Sequence, residues 1–96
     1  NHLEQLDFDL KRDQLESEAQ LAKTSAERRD VELRLLALVY RQERARLAAI
    51  IAEEEAKDIS QQNVVRLEQA RRELDNLGKT EANDKAMVDN ILALVG

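Results

Sequence analysis

Few residues of this 96-residue chain have the types and spacing that acid–base or metal chemistry needs. His2 is the sole histidine and there is no cysteine, so a zinc site or a histidine-assisted nucleophile would lack its partners. The densest acidic run is Glu53-Glu54-Glu55, but three successive helical residues point in widely separated directions and cannot converge on one ion. We interpret this run as a solvated helix end, and we expect no catalytic residue, no metal site, no cofactor and no enzymatic activity.

Six arginines make residues 28–46 positively charged, although the whole chain carries a formal charge of −5. A nucleic-acid binder is usually net basic and stacks bases on aromatic side chains, and here Phe8 and Tyr40 are the only aromatic residues. We therefore expect no sequence-specific contact with nucleic acid, and we assign the arginines to a solvated or partner-facing helix surface. They are Arg28, Arg29, Arg34, Arg41, Arg44 and Arg46.

The elements that position these residues must be helices. The chain has no proline, and its two glycines are Gly78 and Gly96. Because neither breaker occurs between Leu3 and Ile59, we predict one helix from Leu3 to about Glu55, roughly 80 Å long. Charged residues make up 36% of the chain and aromatic residues 2%, a balance typical of coiled coils. The predicted fold is all-α: a long helix, then a C-terminal helical hairpin with a short third helix, assembled as a coiled coil or low-order helical bundle.

Residues 1–30 are predicted to form a polar, coiled-coil-like helical arm. Phe8, Leu15 and Ala22 recur every seven residues, as in a coiled-coil seam. This seam is too thin to stabilise a lone helix, because most helical stability comes from packing. We therefore predict that these three residues mediate self-association into a homo-oligomer, with a trimer favoured.

Residues 31–78 are predicted to form a helical hairpin, with helices over 31–55 and 59–77. Asp58 is a good N-cap, and Gln61 follows three residues later, as in a capping box. A continuous helix through Asp58 is the alternative, because it would avoid placing three acidic residues at a helix C-terminus. The packing face of the hairpin is expected to consist of Leu36, Tyr40, Leu47, Ile51, Leu67 and Leu74, with Ala70 and Leu77 beside them, and Tyr40 should find a hydrogen-bond partner.

Residues 79–96 are predicted to form a separate, short, apolar helix. Gly78 follows Leu77 at the place of a left-handed C-cap, and Thr80 is a suitable N-cap for the next helix. Asp89 and Asn90 interrupt the apolar face of this helix. We therefore favour its packing into a bundle over contact with a membrane.

The stretch from Ala26 to Ile51, read with Val65–Leu77 and Thr80–Ala86, resembles a region of the tail tape measure proteins of long-tailed bacteriophages and prophages. The terminal stretch Met87–Gly96 departs from that pattern. The resemblance implies a segment of a long helical structural protein of the virion, packed in several copies inside the tail tube. It also implies contact with tail tube and tip proteins, a role in tail length determination, and exit before genome ejection. No catalytic residue is carried over by it.

A second interpretation stays open beside the structural one. The apolar face from Val31 to Ile51 is wide enough to contact two helices. It would also suit a soluble helical-hairpin adaptor or chaperone-like module, for example of a secretion system, that binds a partner helix.

Overall fold

The computed structural model describes the backbone of residues 2–95 and the side chains of residues 2–91. It contains three α-helices: α1 (His2–Leu21), α2 (Ser25–Glu55) and α3 (Val64–Val95). A single 3-10 turn, Ile59–Gln61, lies between α2 and α3. The described residues contain no strand, so the all-α prediction is confirmed.

The single helix predicted from Leu3 to Glu55 is wrong, because the chain turns between α1 and α2. Thr24 has an extended backbone (φ −118°, ψ 159°), and its Oγ1 accepts a hydrogen bond from the Glu27 N–H at 3.1 Å. The Glu27 carboxylate accepts a hydrogen bond from the Lys23 N–H at 2.9 Å. These two hydrogen bonds satisfy backbone N–H groups near the start of α2 that have no acceptor within the helix. The helix can therefore begin here although no proline or glycine precedes it.

The break predicted near Asp58 is present, but the next helix begins later than residue 59. Asp58 precedes the 3-10 turn and makes no side-chain capping hydrogen bond. The cap of α3 is instead Asn63, whose Oδ1 accepts a hydrogen bond from the Arg66 N–H at 3.0 Å. An asparagine is as good an N-cap as an aspartate, and here it stands directly before the helix.

The predicted helix end at Gly78 is also wrong, and residues 79–95 continue α3 rather than forming a separate helix. None of the described glycines has a positive φ, so Gly78 is not a left-handed cap. Thr80 does not begin a helix either, since its hydroxyl donates to the carbonyl of Asn76 one turn earlier at 3.1 Å. A glycine inside a helix costs only about 1 kcal/mol, which contacts of the following turns with α2 offset.

The three helices form a single flat layer with α2 in the middle. The packed pairs are α1 with α2 and α2 with α3. Both pairs are antiparallel, because contacts from later residues of one helix go to earlier residues of its neighbour. The Cα atoms span 56 × 28 × 11 Å. A helix is ~4.6 Å wide at its Cα atoms, and the axes of two packed helices lie about 8–10 Å apart. Two stacked layers would therefore be thicker than the 11 Å observed, so the helices form one layer.

A layer one helix thick has only the seams between neighbouring helices in which to bury side chains. No residue of α1 is fully buried. Leu47, at 1% exposure, is the most completely buried apolar side chain, and the other described members of this small core are Val31, Leu38, Tyr40, Leu67 and Ala70. Across the described ranges, no helix is both long and apolar enough to cross a membrane.

Candidate functional site

A buried carboxylate holds the connection between α2 and α3. Glu54 is fully buried, near the end of α2. One of its oxygens accepts a hydrogen bond from the Asn63 N–H at 2.7 Å, and the other accepts from Lys57 Nζ at 2.8 Å and from Arg66 Nη1 at 2.6 Å. These three donors come from the loop and from the first turn of α3, so one side chain ties the connection to both helices.

The ionised state of Glu54 is strongly favoured. Hydrogen bonds from Lys57, from the Asn63 backbone and from Arg66 lower the pKa of Glu54 to about 2, although its burial opposes this shift. The interpretation of Glu53-Glu54-Glu55 as a solvated helix end is therefore wrong for its central residue. The unfavourable position of an acid at a helix C-terminus is offset by two cations and by an N–H of the next helix.

Tyr40 lies in the seam between α2 and α3, where it is 7% exposed. Its hydroxyl donates a hydrogen bond to Oδ2 of Asp84. Asp84 is thus the hydrogen-bond partner that a buried tyrosine was expected to have. This hydrogen bond, with burial and the nearby charges of Asp84 and Glu81, raises the pKa of Tyr40 to about 12. One turn further along α2, Arg44 forms an ion pair with Glu81. Polar bonds therefore fix the register of the half of α3 that follows Gly78.

The predicted hairpin face lies along the α2–α3 side of the layer. Tyr40, Leu47 and Leu67 are buried, whereas Leu74 is half-buried. Leu36 and Ile51 are half-buried as well. The hairpin is thus formed by these two helices, and its best-buried part lies around Leu47.

The predicted self-association seam lies beside α2 of the same chain. Phe8, Leu15 and Ala22 are all half-buried. Polar contacts hold α1 here: Arg12 Nη2 donates to Gln42 Oε1 at 2.8 Å, and Arg34 Nη2 lies 2.8 Å from Glu18 Oε2. The seam thus has an intramolecular partner, and self-association stays a prediction.

A groove with an apolar floor and an excess of acid opens between α1 and α2. Arg46 is the one basic residue among the described lining of the groove; it bonds to Glu43 and lies 3.6 Å from Glu73. The hydrogen bond from Arg46 lowers the pKa of Glu43, which keeps that carboxylate ionised. We call this the acidic groove; its floor includes Phe8, Val39, Ala49 and Ile50, and its acidic lining residues are Glu4, Glu43 and Glu53.

The other face of the α1–α2 pair has the opposite balance of charge. A hollow there is lined by Lys11, Arg34 and Arg41, and Glu18 is the single acid among its described lining residues. Leu15, Ala37 and Leu38 supply its apolar part. At about 100° per residue, Arg34 and Arg41 lie on the side of α2 opposite Glu43 and Ile50.

Among the described residues, no group of three or more histidine or acidic side chains could hold a metal ion. Glu54 and Tyr40 are already engaged by donors or acceptors of the fold. Comparisons with family models, with curated proteins and with solved structures found no match to this chain.

The sequence analysis did not identify Glu54 as a buried residue. It also did not predict the groove and the hollow between α1 and α2, because both form only when the chain turns at Thr24. A signal for Glu54 was present, since an acidic triplet at a helix end is unfavourable unless cations follow it. Lys57 and Arg66 are those cations.

Proposed function

We propose that this chain is a structural, non-catalytic helical segment that completes its core by packing against other helices. The observation that carries the proposal is the single flat layer, whose thinnest dimension is 11 Å. Val39, Met87 and Ile91 are 46, 58 and 54% exposed in it. Apolar side chains that a layer cannot bury by itself are buried when a second layer packs against it.

The biological setting we propose is the tail of a long-tailed bacteriophage or prophage, as part of a tape measure protein. The support is the resemblance of the stretch from Ala26 to Ala86. In that setting the segment would contribute to tail length determination and genome ejection, in contact with tail tube and tip proteins. Packing in several copies would supply the second layer that the exposed residues require.

Two measurements test this proposal. Sedimentation of the 96-residue chain should show concentration-dependent association, and a monomer at every concentration would contradict lateral packing with copies of itself. The full reading frame should encode a protein many times longer, beside tail genes. A short frame in another genetic setting would remove the tail assignment and leave only the structural one.

The second candidate is a helical adaptor or chaperone-like module that binds a partner helix. Its support is a row on the edge of α1 away from α2, where Leu6 and Leu10 are 45 and 64% exposed. The residues of α1 include six acids and two bases. A strictly monomeric chain that protects this row only when a partner helix is added would favour the adaptor.

A further inference from the structure

We propose that copies of this chain stack front to back, with one side of α2 lying in the acidic groove of the next copy. The inference rests on the proposed function, because it names the surfaces through which the segment would assemble. We call the inserted surface the alanine ridge; it consists of Arg34, Ala37, Arg41, Ala48 and Ala52.

The alanine ridge is a narrow strip along one side of α2. Its members lie within roughly 60° of one another on the helix, at about 100° per residue. All five are exposed, and three of them carry only a methyl group. Arg34, Ala37 and Arg41 also line the hollow beside α1, whereas Ala48 and Ala52 lie further along α2. The short side chains of the three alanines allow another helix to approach to an interaxial distance near 8 Å on this side of α2.

The acidic groove has the shape and chemistry to receive that strip. It runs beside α2 from Val39 to Glu53, which is about 20 Å at 1.5 Å per residue. Phe8, Val39 and Ile50 would be covered by the alanine side chains. Burying apolar surface in this way supplies the attraction, and the flat layer leaves both surfaces open at once.

The charges of the two surfaces are complementary. Arg41 makes no ion pair within the described part of the chain, and Arg34 is shared between Glu18 and Asp30 on the surface. In the acidic groove, Arg46 bonds Glu43, and Glu53 lies 3.5 Å from Arg66, which also bonds Glu54. The described lining of the groove still has three acids to one base. Arginines on the ridge of one copy would therefore meet carboxylates on the groove of another, which favours a second copy of this chain as the partner.

Charge also decides the symmetry of the contact. A two-fold pairing would set groove against groove or ridge against ridge, and so bring like charges together. Front-to-back contact pairs unlike surfaces, and each copy keeps a free ridge and a free groove. Such a heterologous contact does not close on two copies but extends into a stack.

Paired charge reversals test this arrangement by sedimentation of the 96-residue chain. Arg41→Glu and Glu43→Lys should each weaken association at least tenfold, because each sets like charges opposite one another. An equimolar mixture of the two should associate as the unaltered chain does. Every contact in an alternating stack is then either native or charge-swapped. A two-fold contact uses only one of the two surfaces, so one of the two single reversals would leave association unchanged, and that result would overturn the stack.

Matched controls and other outcomes keep the test decisive. Arg72→Glu and Asp75→Lys change the charge by the same amounts on exposed sites of α3 and should leave association unchanged, and circular dichroism should show equal helicity in all variants. Association of the unaltered chain that neither reversal weakens would overturn the stacking surfaces and leave the proposed function standing. A chain that stays monomeric at every concentration would overturn both.

Discussion

Glu54 Oε2 and Arg66 Nη1 lie 2.6 Å apart, twelve residues apart along the chain, and join the end of α2 to the first turn of α3. The same guanidinium lies 3.5 Å from Glu53, so Arg66 neutralises two neighbouring acids. This pair sets where α3 starts along α2. The ion pair of Arg44 with Glu81 and the hydrogen bond of Tyr40 to Asp84 continue that register along the two helices.

Replacing Glu54 by Gln should lower the melting temperature by roughly 10 °C, because it leaves two cations beside a neutral buried amide. Glu55→Gln is the matched control. Glu55 is exposed and pairs with Arg71 on the surface, so its loss should move the melting temperature by only a few degrees. Equal effects of the two changes, measured by thermal circular dichroism, would show that burial of Glu54 does not matter.

The same carboxylate predicts a pH dependence. The folded pKa of Glu54 is about 2, below its ordinary value of 4.5. Its contribution to stability is therefore present in full above about pH 4.5 and is lost as the pH falls towards 2. The difference in urea midpoint between the unaltered chain and Glu54→Gln should shrink over this window. A difference that stays constant from pH 7 to pH 2 would contradict the lowered pKa.

Tyr40 allows a direct spectroscopic measurement, because it is the only tyrosine in the chain. The ultraviolet absorbance of the folded protein should show the phenol ionising near pH 12, and in urea near pH 10. Since the folded pKa is the higher one, this group stabilises the fold below pH 10, and the contribution is lost as the pH rises to 12. Asp84→Ala removes the acceptor and should bring the folded value back towards 10, and an unchanged titration in that variant would exclude the hydrogen bond as its cause.

The core offers a test of how burial is distributed along the α2–α3 seam. Leu47→Ala should cost about 2–5 kcal/mol of unfolding free energy, as a fully buried leucine does. Leu74→Ala, on the same predicted packing face, should cost less because Leu74 is only half-buried. Leu10→Ala is the exposed control, with an expected change below about 0.5 kcal/mol. A larger loss at Leu74 than at Leu47 in urea titrations would contradict the observed packing.

The sequence predicted the elements whose local signals agree with their packing. The apolar spacing around Leu47 and Leu67 placed α2 against α3, and the polar stretch at Asp58 marked the turn between them. It missed the turn at Thr24, because helix-forming residues surround it, although the pattern Thr24-x-x-Glu27 is a local signal for a new helix start. The acidic groove lies between α1 and α2, so it exists only because the chain turns at Thr24. A prediction of one continuous helix therefore could not include the groove.

Replacing Gly78 tests whether this residue lies inside a helix or at a helix cap, because the two positions predict opposite changes in the free energy of unfolding. Gly78→Ala should stabilise the protein by about 0.5–1 kcal/mol, because alanine is the better residue inside a helix. A Cβ at this position meets no atom within 4 Å, so no clash offsets the gain. At a left-handed cap the same change would be destabilising. A lower urea midpoint for Gly78→Ala would therefore return residue 78 to the end of a helix.

Thr24 provides the corresponding test for the turn between α1 and α2. Thr24→Ala removes the oxygen that accepts from the Glu27 N–H and should cost about 0.5–2 kcal/mol of unfolding free energy. In a continuous helix the same change would stabilise the chain, because alanine has the higher helix propensity. Thr80→Ala is the matched control: its hydroxyl bonds within α3, so the loss of threonine there should be neutral or slightly stabilising. Urea denaturation of both variants gives the change in unfolding free energy. A stabilising Thr24→Ala would favour a single long helix over the turn, and would therefore contradict the acidic groove.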